Sequence, residues 1–141
     1  MRIDLENIDD QVYSVLIEYV KDSIPRLENE NFTNRGKDYS KETTFPIIYF
    51  HRISGAETNT DLEADMINSG LFTYEIIVTS KENRAEVKEI MTEVTKAMKS
   101  MAFRSTSLPL YVELDNNLHR QFARWQRDLH EGDLLDFKTS D

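Results

Sequence analysis

The chain has 141 residues, 39% of them apolar, 30% charged and 10% aromatic, which suits one domain with a modest core and argues against wholesale disorder. Lys and Arg number 17 against 26 Asp and Glu, so the formal charge is −9, a balance that disfavours a domain wrapping nucleic acid by neutralising phosphates. With no cysteine, the sequence excludes disulfides, thiolate zinc sites, iron–sulfur clusters and cysteine nucleophiles, and it fits a reducing cytoplasm.

The opening MRIDLENIDD is acidic and has no apolar core of a secretory signal. The longest apolar stretch, Phe45 to Phe50, is too short to span a bilayer, so the expectation is a soluble, unanchored protein. Ile8, Val12, Val15, Leu16 and Tyr19 recur with the spacing of one helical face, which predicts a helix over 9–23. Asp9 and Asp10 complement the positive end of its dipole, and Pro25 ends it by pushing the preceding residue out of the α region. Residues 26–44 are polar, with no apolar period, and read as an exposed connection.

FPIIYFHRI, 45–53, reads as a strand, with Pro46 at its start or on an edge. Residues 54–70 are again polar and carry Glu57, Asp61, Glu63 and Asp65. Next comes the clearest strand: Phe72, Tyr74, Ile76 and Val78 face one way, and Thr73, Glu75, Ile77 and Thr79 the other. Two strands joined by a long polar loop suit a hairpin with a projecting tip. A second helix follows, with Asn83 as N-cap, Glu86 placed for a capping box, and a stripe of Val87, Ile90, Met91, Val94, Met98 and Met101. The methionines at 91, 98 and 101 read as core packing rather than as a binding groove.

Beyond it, a strand is expected near 102–107, then irregular chain because of Pro109. In 118–129, Leu118, Phe122, Trp125 and Leu129 slightly favour a helix by periodicity. The alternative is a strand with Arg120, Phe122 and Arg124 on one side and Ala123 and Trp125 on the other. The domain organisation expected is a single α+β domain over 1–129 with a loosely ordered tail over 130–141.

Little in this chain points to catalysis. His51, His119 and His130 fit no metal-ligand spacing, and His51 reads as a histidine at the rim of a strand. The four glycines form no phosphate-cradling loop, and there is no nucleophile elbow. Asp61, Glu63 and Asp65 alternate as calcium-loop residues do, but the loop glycine and the distal glutamate are missing, so a solvated acidic loop is expected. No catalytic residue, cofactor or metal is assigned, and a hydrolase built on dispersed carboxylates is the thinnest reading. Arg120, Arg124 and Arg127, with Arg104 and His119, interleave with Phe122 and Trp125, a mixture found on single-strand nucleic-acid platforms and also at protein interfaces.

The order of elements resembles the small neck and tail-completion proteins of long-tailed bacteriophages, labelled minor capsid or tail terminator proteins. The stretch Phe72 to Arg104 carries most of the likeness, with its YEI-V-S strand, helix and M-x-x-M-A-F-R exit. The family's final strand has an R-x-x-x-R-aromatic pattern, matched here by Arg120 to Trp125, and this moves the expectation for 118–129 from helix to strand. The family usually has a glycine at the helix exit where this sequence has Ala102; glycine would allow a left-handed turn that alanine resists.

The resemblance implies a small mixed or antiparallel sheet of about four strands, two helices packed on it, and a long polar loop between the first two strands. It implies a virion structural protein without enzymatic activity, capping or completing the tail tube and joining it to the head connector. Assembly as a ring, six copies on the tail, follows from the family. Its partners would be itself, the tail tube protein and the neck proteins, with DNA passing through unbound and no membrane involved. Its place would be the virion, and the host cytoplasm during assembly. The alternatives are a head-completion adaptor, or an intracellular module binding nucleic acid or protein. A ring built by heterologous contacts needs two complementary surfaces. The candidates are Glu57, Asp61, Glu63 and Asp65 on one side, and Arg120, Arg124, Trp125 and Arg127 on the other.

Overall fold

The computed structural model describes residues 1–34, 43–60, 67–114 and 117–136. Helix α1 spans Ile8–Ser23 and buries Ile8, Val12, Val15, Leu16 and Val20 along one face, with Tyr19 half-buried beside them. A single tight turn, Leu5–Asn7, precedes it, capped by Asp4, whose carboxylate accepts from the Glu6 amide. Ile24, held before Pro25, takes an extended φ of −128° and ψ of 81° and closes the helix as expected.

The stretch after α1 is exposed at Arg26, Glu28 to Glu30, Asn34 and Thr44, as its polarity suggests, but it also carries three inward anchors. Leu27, Asn31 and Phe32 are buried. Asn31 lies inside because its side chain is satisfied twice: its amide donates to the Pro46 carbonyl at 2.7 Å, and its oxygen accepts from the Glu28 amide at 2.9 Å. Strand β1, Phe32–Thr33, then pairs in parallel with Ile48 and Tyr49. Residues 35–42 lie outside the described residues.

Strands β2, Ile47–Thr60, and β3, Ile67–Ser80, form an antiparallel hairpin longer than hydrophobic alternation predicts. The distal half of β2 is polar; backbone pairing to β3, which β5 fixes from its other side, carries it. Helix α2, Arg84–Ser100, buries Val87, Ile90, Met91, Val94, Ala97 and Met98, so the methionine stripe is core. Asn83 caps it by accepting from the Glu86 amide at 2.8 Å. The reciprocal half of the expected capping box does not form, because the Glu86 carboxylate accepts from the Ser80 hydroxyl instead.

Strand β4, Arg104–Glu113, continues through Pro109, where irregular chain was expected. It lies at the edge of the sheet, where a missing amide donor is tolerated. Residues 118–129 are a strand, β5, His119–His130, and local helical periodicity is overridden by pairing on both sides. The architecture is α+β: five strands in the order β1-β2-β3-β5-β4, one more than the four expected because of the two-residue β1, with two helices against one face.

The tail 130–141 was expected to be loose; its described part, 130–136, is packed, and 137–141 lie outside the described residues. Leu135 and Asp136 are buried, the Ile3 amide donates to the Asp133 carbonyl at 2.7 Å, and the Leu135 amide donates to the Met1 carbonyl at 2.9 Å. Among the described residues no helix is long and apolar enough to cross a membrane.

Candidate functional site

A strand turns alternate side chains to opposite faces, so the register decides which residues share a surface. The face of the sheet toward the helices carries Ile48, Phe50, Phe72, Tyr74, Ile76, Val78, Ala123, Trp125 and Leu129, all buried. No element among the described residues covers the opposite face. There the register aligns a charged row in which His51 of β2 stands opposite Glu75 of β3, and Glu75 opposite Arg124 of β5. His51 Nε2 lies 2.8 Å from Glu75 Oε1, and Arg124 Nε donates to Glu75 Oε2 at 3.0 Å. The Glu75 side chain is 12% exposed, against 30% for His51 and 50% for Arg124, so both side chains lean over a nearly buried carboxylate.

That geometry sets the carboxylate's chemistry. Burial raises its proton affinity, but the hydrogen bonds and charges of His51 and Arg124 outweigh burial and hold Glu75 below the usual carboxylate range. A carboxylate depressed in this way, with both oxygens engaged, is a weak proton acceptor. The row is suited to fixing side chains in place on the surface.

Next to the charged row runs an apolar one, Tyr49, Ile77, Phe122 and Leu110, aligned across β2, β3, β5 and β4. Tyr49 stacks on His51 with ring centroids 4.8 Å apart, which ties the two rows together. Ile77 is buried, whereas Leu110 is 54% exposed. Polar pairs continue the surface on either side: Arg120 donates to the Thr79 hydroxyl at 3.3 Å, Gln126 to the Thr73 hydroxyl at 3.1 Å, and Arg104 to Gln126 at 3.3 Å.

The arginine and aromatic residues singled out in the sequence divide between the two faces. Arg120 and Arg124 lie on the uncovered face. Trp125 and Arg127, at odd positions of β5, point to the helix side and are not part of that surface. Trp125 is buried, and among the described residues its indole N–H has no partner. Arg127 is half-buried and donates to the Met101, Leu134 and Leu135 carbonyls, a structural clasp. On the proposed acidic side, Glu57 lies in β2 opposite Gly70, and Asp61, Glu63 and Asp65 lie outside the described residues.

His51 lies within β2 rather than closing a strand, and its pairing with Glu75 was not legible. Tyr49, Ile77, Leu110 and Glu75 were also missed as site residues. The alternation in β3 placed Glu75 and Ile77 on one face, but only the register brings His51, Arg124, Tyr49 and Phe122 beside them.

Elsewhere, a cleft of about 540 Å³ lies between Leu27, Asn31, Phe45 and Lys81. The charges at its mouth are already paired, Arg26 with Glu86 and Glu89, and Lys81 over the Phe45 ring. Among the described residues no group of three or more His, Cys, Asp or Glu is arranged to hold a metal ion. No protein-family model matches the sequence, and no curated protein is significantly similar to it.

Proposed function

We propose that the protein is a virion structural component of a long-tailed phage, completing the tail and joining it to the head connector through protein contacts alone. The observation that carries this reading is the uncovered sheet face, where an apolar row, rimmed by arginines and locked by the Glu75 ion pairs, runs across four strands. Aromatic and arginine side chains on a face that no described element covers are what protein interfaces favour. The likeness of Phe72–Arg104 and of Arg120–Trp125 to neck and tail-completion proteins supplies the biological setting.

In that setting the protein works as a ring, six copies at the tail end, with neither catalysis nor a cofactor. The formal charge of −9 suits a passage through which DNA slides without adsorbing. The same surface serves a tail terminator and a head-completion adaptor equally well. The test is electron microscopy of particles from the strain that carries the gene, labelled with antibody raised against the purified protein. Label at the junction of head and tail is expected. Intact particles bearing none there would overturn the reading, and so would a substrate turned over by the purified protein.

A further inference from the structure

We propose that the sheet face left open among the described residues receives a second copy of this chain, and that what it receives is the acidic outer side of helix α1. The inference deepens the reading above and rests on its premise that the chain acts through protein contact. Leu110, 54% exposed on the edge strand, supplies an anchor, since it continues an aligned line with Phe122, Ile77 and Tyr49.

Charge then selects the occupant. Arg104 is exposed and donates to the neutral Gln126, and Arg124 keeps half its side chain exposed although its Nε engages Glu75. The complement stands in the same chain, whose first 30 residues hold three Lys or Arg against eight Asp or Glu. Asp10, Ser14, Glu18 and Asp22 follow one another at steps of four, all exposed, and so form one ridge along α1. Among the described residues none of those three carboxylates has an ion-pair partner, and the one cation of the helix, Lys21, donates to Asn29.

The ridge works against its own helix. Glu18 and Asp22 repel each other across one turn, and Asp22 stands in the last turn, where the dipole favours a cation. No described ion pair offsets this, whereas arginines of a neighbouring copy would. Ile17, half-buried beside the ridge, gives Leu110 an apolar counterpart.

The helices pack on one side of the sheet and the open face is the other. Each contact therefore joins unlike surfaces and leaves one of each free, so copies add head to tail beyond a pair. A phosphate backbone fits this face less well, because Glu75 stands between His51 and Arg124 and puts a carboxylate in its path.

Sedimentation velocity on the purified full chain, over a range of concentrations and at low and high salt, tests the proposal. The wild type is expected to associate beyond a dimer, less so at high salt. Leu110→Gln should weaken association by about tenfold while leaving the thermal unfolding midpoint unchanged, because the side chain is exposed. Glu18→Lys combined with Asp22→Lys should weaken it as much while holding or raising the midpoint, since the repulsion is gone. Mixed in equal amounts, the two variants should form a 1:1 pair and stop there, each bringing the one surface it has kept.

A wild type that stays monomeric, or that stops at a dimer, overturns the proposal. Full association in the Glu18→Lys and Asp22→Lys variant overturns α1 as occupant, and so does a mixture that forms no pair. Binding of a fluorescent oligothymidine that Arg104→Ala and Arg124→Ala abolish would assign the face to nucleic acid instead. Self-association without label at the head–tail junction sinks the virion reading alone, and label without self-association sinks this inference alone.

Discussion

The hydroxyl of Tyr74, at the buried centre of β3, donates to the carboxylate of Asp9, in the first turn of α1, at 2.7 Å. One hydrogen bond thereby joins the middle strand of the sheet to the start of a helix 65 residues earlier in the chain. Arg52 reaches the other Asp9 oxygen at 3.6 Å, so the carboxylate keeps a partner if the hydroxyl is removed.

Tyr74→Phe should therefore lower stability by only about 1 kcal/mol near neutral pH. Its effect on alkaline stability is more informative. Burial, then the hydrogen bond and charge of Asp9, push the Tyr74 phenol far above its ordinary value, with Arg52 opposing weakly. In the unfolded chain the phenol ionises near pH 10, roughly its ordinary value. The native state keeps its proton, so the contribution of Tyr74 is intact below that pH and falls as pH rises beyond it. Urea unfolding at pH 8 and pH 11 should show a smaller loss in Tyr74→Phe than in the wild type; equal losses would contradict this.

Ala102 has a φ of 62°, the left-handed conformation at the end of α2. Around it the Ala102 amide donates to the Lys99 carbonyl at 2.9 Å and the Phe103 amide to the Met98 carbonyl at 3.0 Å, with Met98 and Phe103 both buried. This is the glycine-type helix ending, formed on an alanine. Ala102→Gly should stabilise the fold by about 1 kcal/mol, since glycine bears no Cβ penalty there and the exposed site leaves no cavity. Ala102→Val should do the reverse. Denaturant midpoints of both variants check the pair.

Glu75 governs the acid side. Its proton affinity in the native state is depressed, because His51 and Arg124 outweigh the opposing effect of burial. The resulting stabilisation is complete above the carboxylate's unfolded value and is lost as pH falls through the lower native one. Glu75→Gln should cost about 1–2 kcal/mol at pH 7, a range that allows for solvent screening of the partly exposed partners. At pH 3 the gap between variant and wild type should shrink. A gap of the same size at both pH values would place the effect in packing rather than charge.

Arg127 is held on the helix side of β5, where burial lowers its proton affinity and three backbone carbonyls surround its guanidinium. Arg127→Met leaves those carbonyls without their donor and should cost about 2–4 kcal/mol. Lysine should restore only part of the loss, since one ammonium cannot reproduce the planar fork. Hydrogen exchange should accelerate first at the amides of Ile3, Gly132 and Leu135, which the turn after β5 and the segment 1–3 share.

Elements whose hydrophobic period matched their own geometry were legible in the sequence: α1, α2 and the alternation of β3. Those stabilised by something other than side-chain pattern were not. The polar half of β2 is a strand because β3 pairs with it, β4 passes through Pro109 because it is an edge, and the polar Asn31 is buried because its side chain finds two partners. At the site, Arg120 and Arg124 were visible as residue types. Their separation from Trp125 and Arg127 follows from the period of two once 118–129 is a strand. The grouping of His51, Glu75 and Arg124 depends on a register that a shift between Arg52 and Ser54 offsets from the distal half of the hairpin, and no local pattern encodes that.

Met1 and Ile3 share backbone hydrogen bonds with Gly132, Asp133 and Leu135. Whatever is fused ahead of Met1 and whatever is inserted after Asp136 therefore leave the molecule side by side. Fluorophores at those two points should transfer energy efficiently in the folded protein, giving a ratiometric reporter of unfolding that touches neither the sheet's open face nor its hairpin.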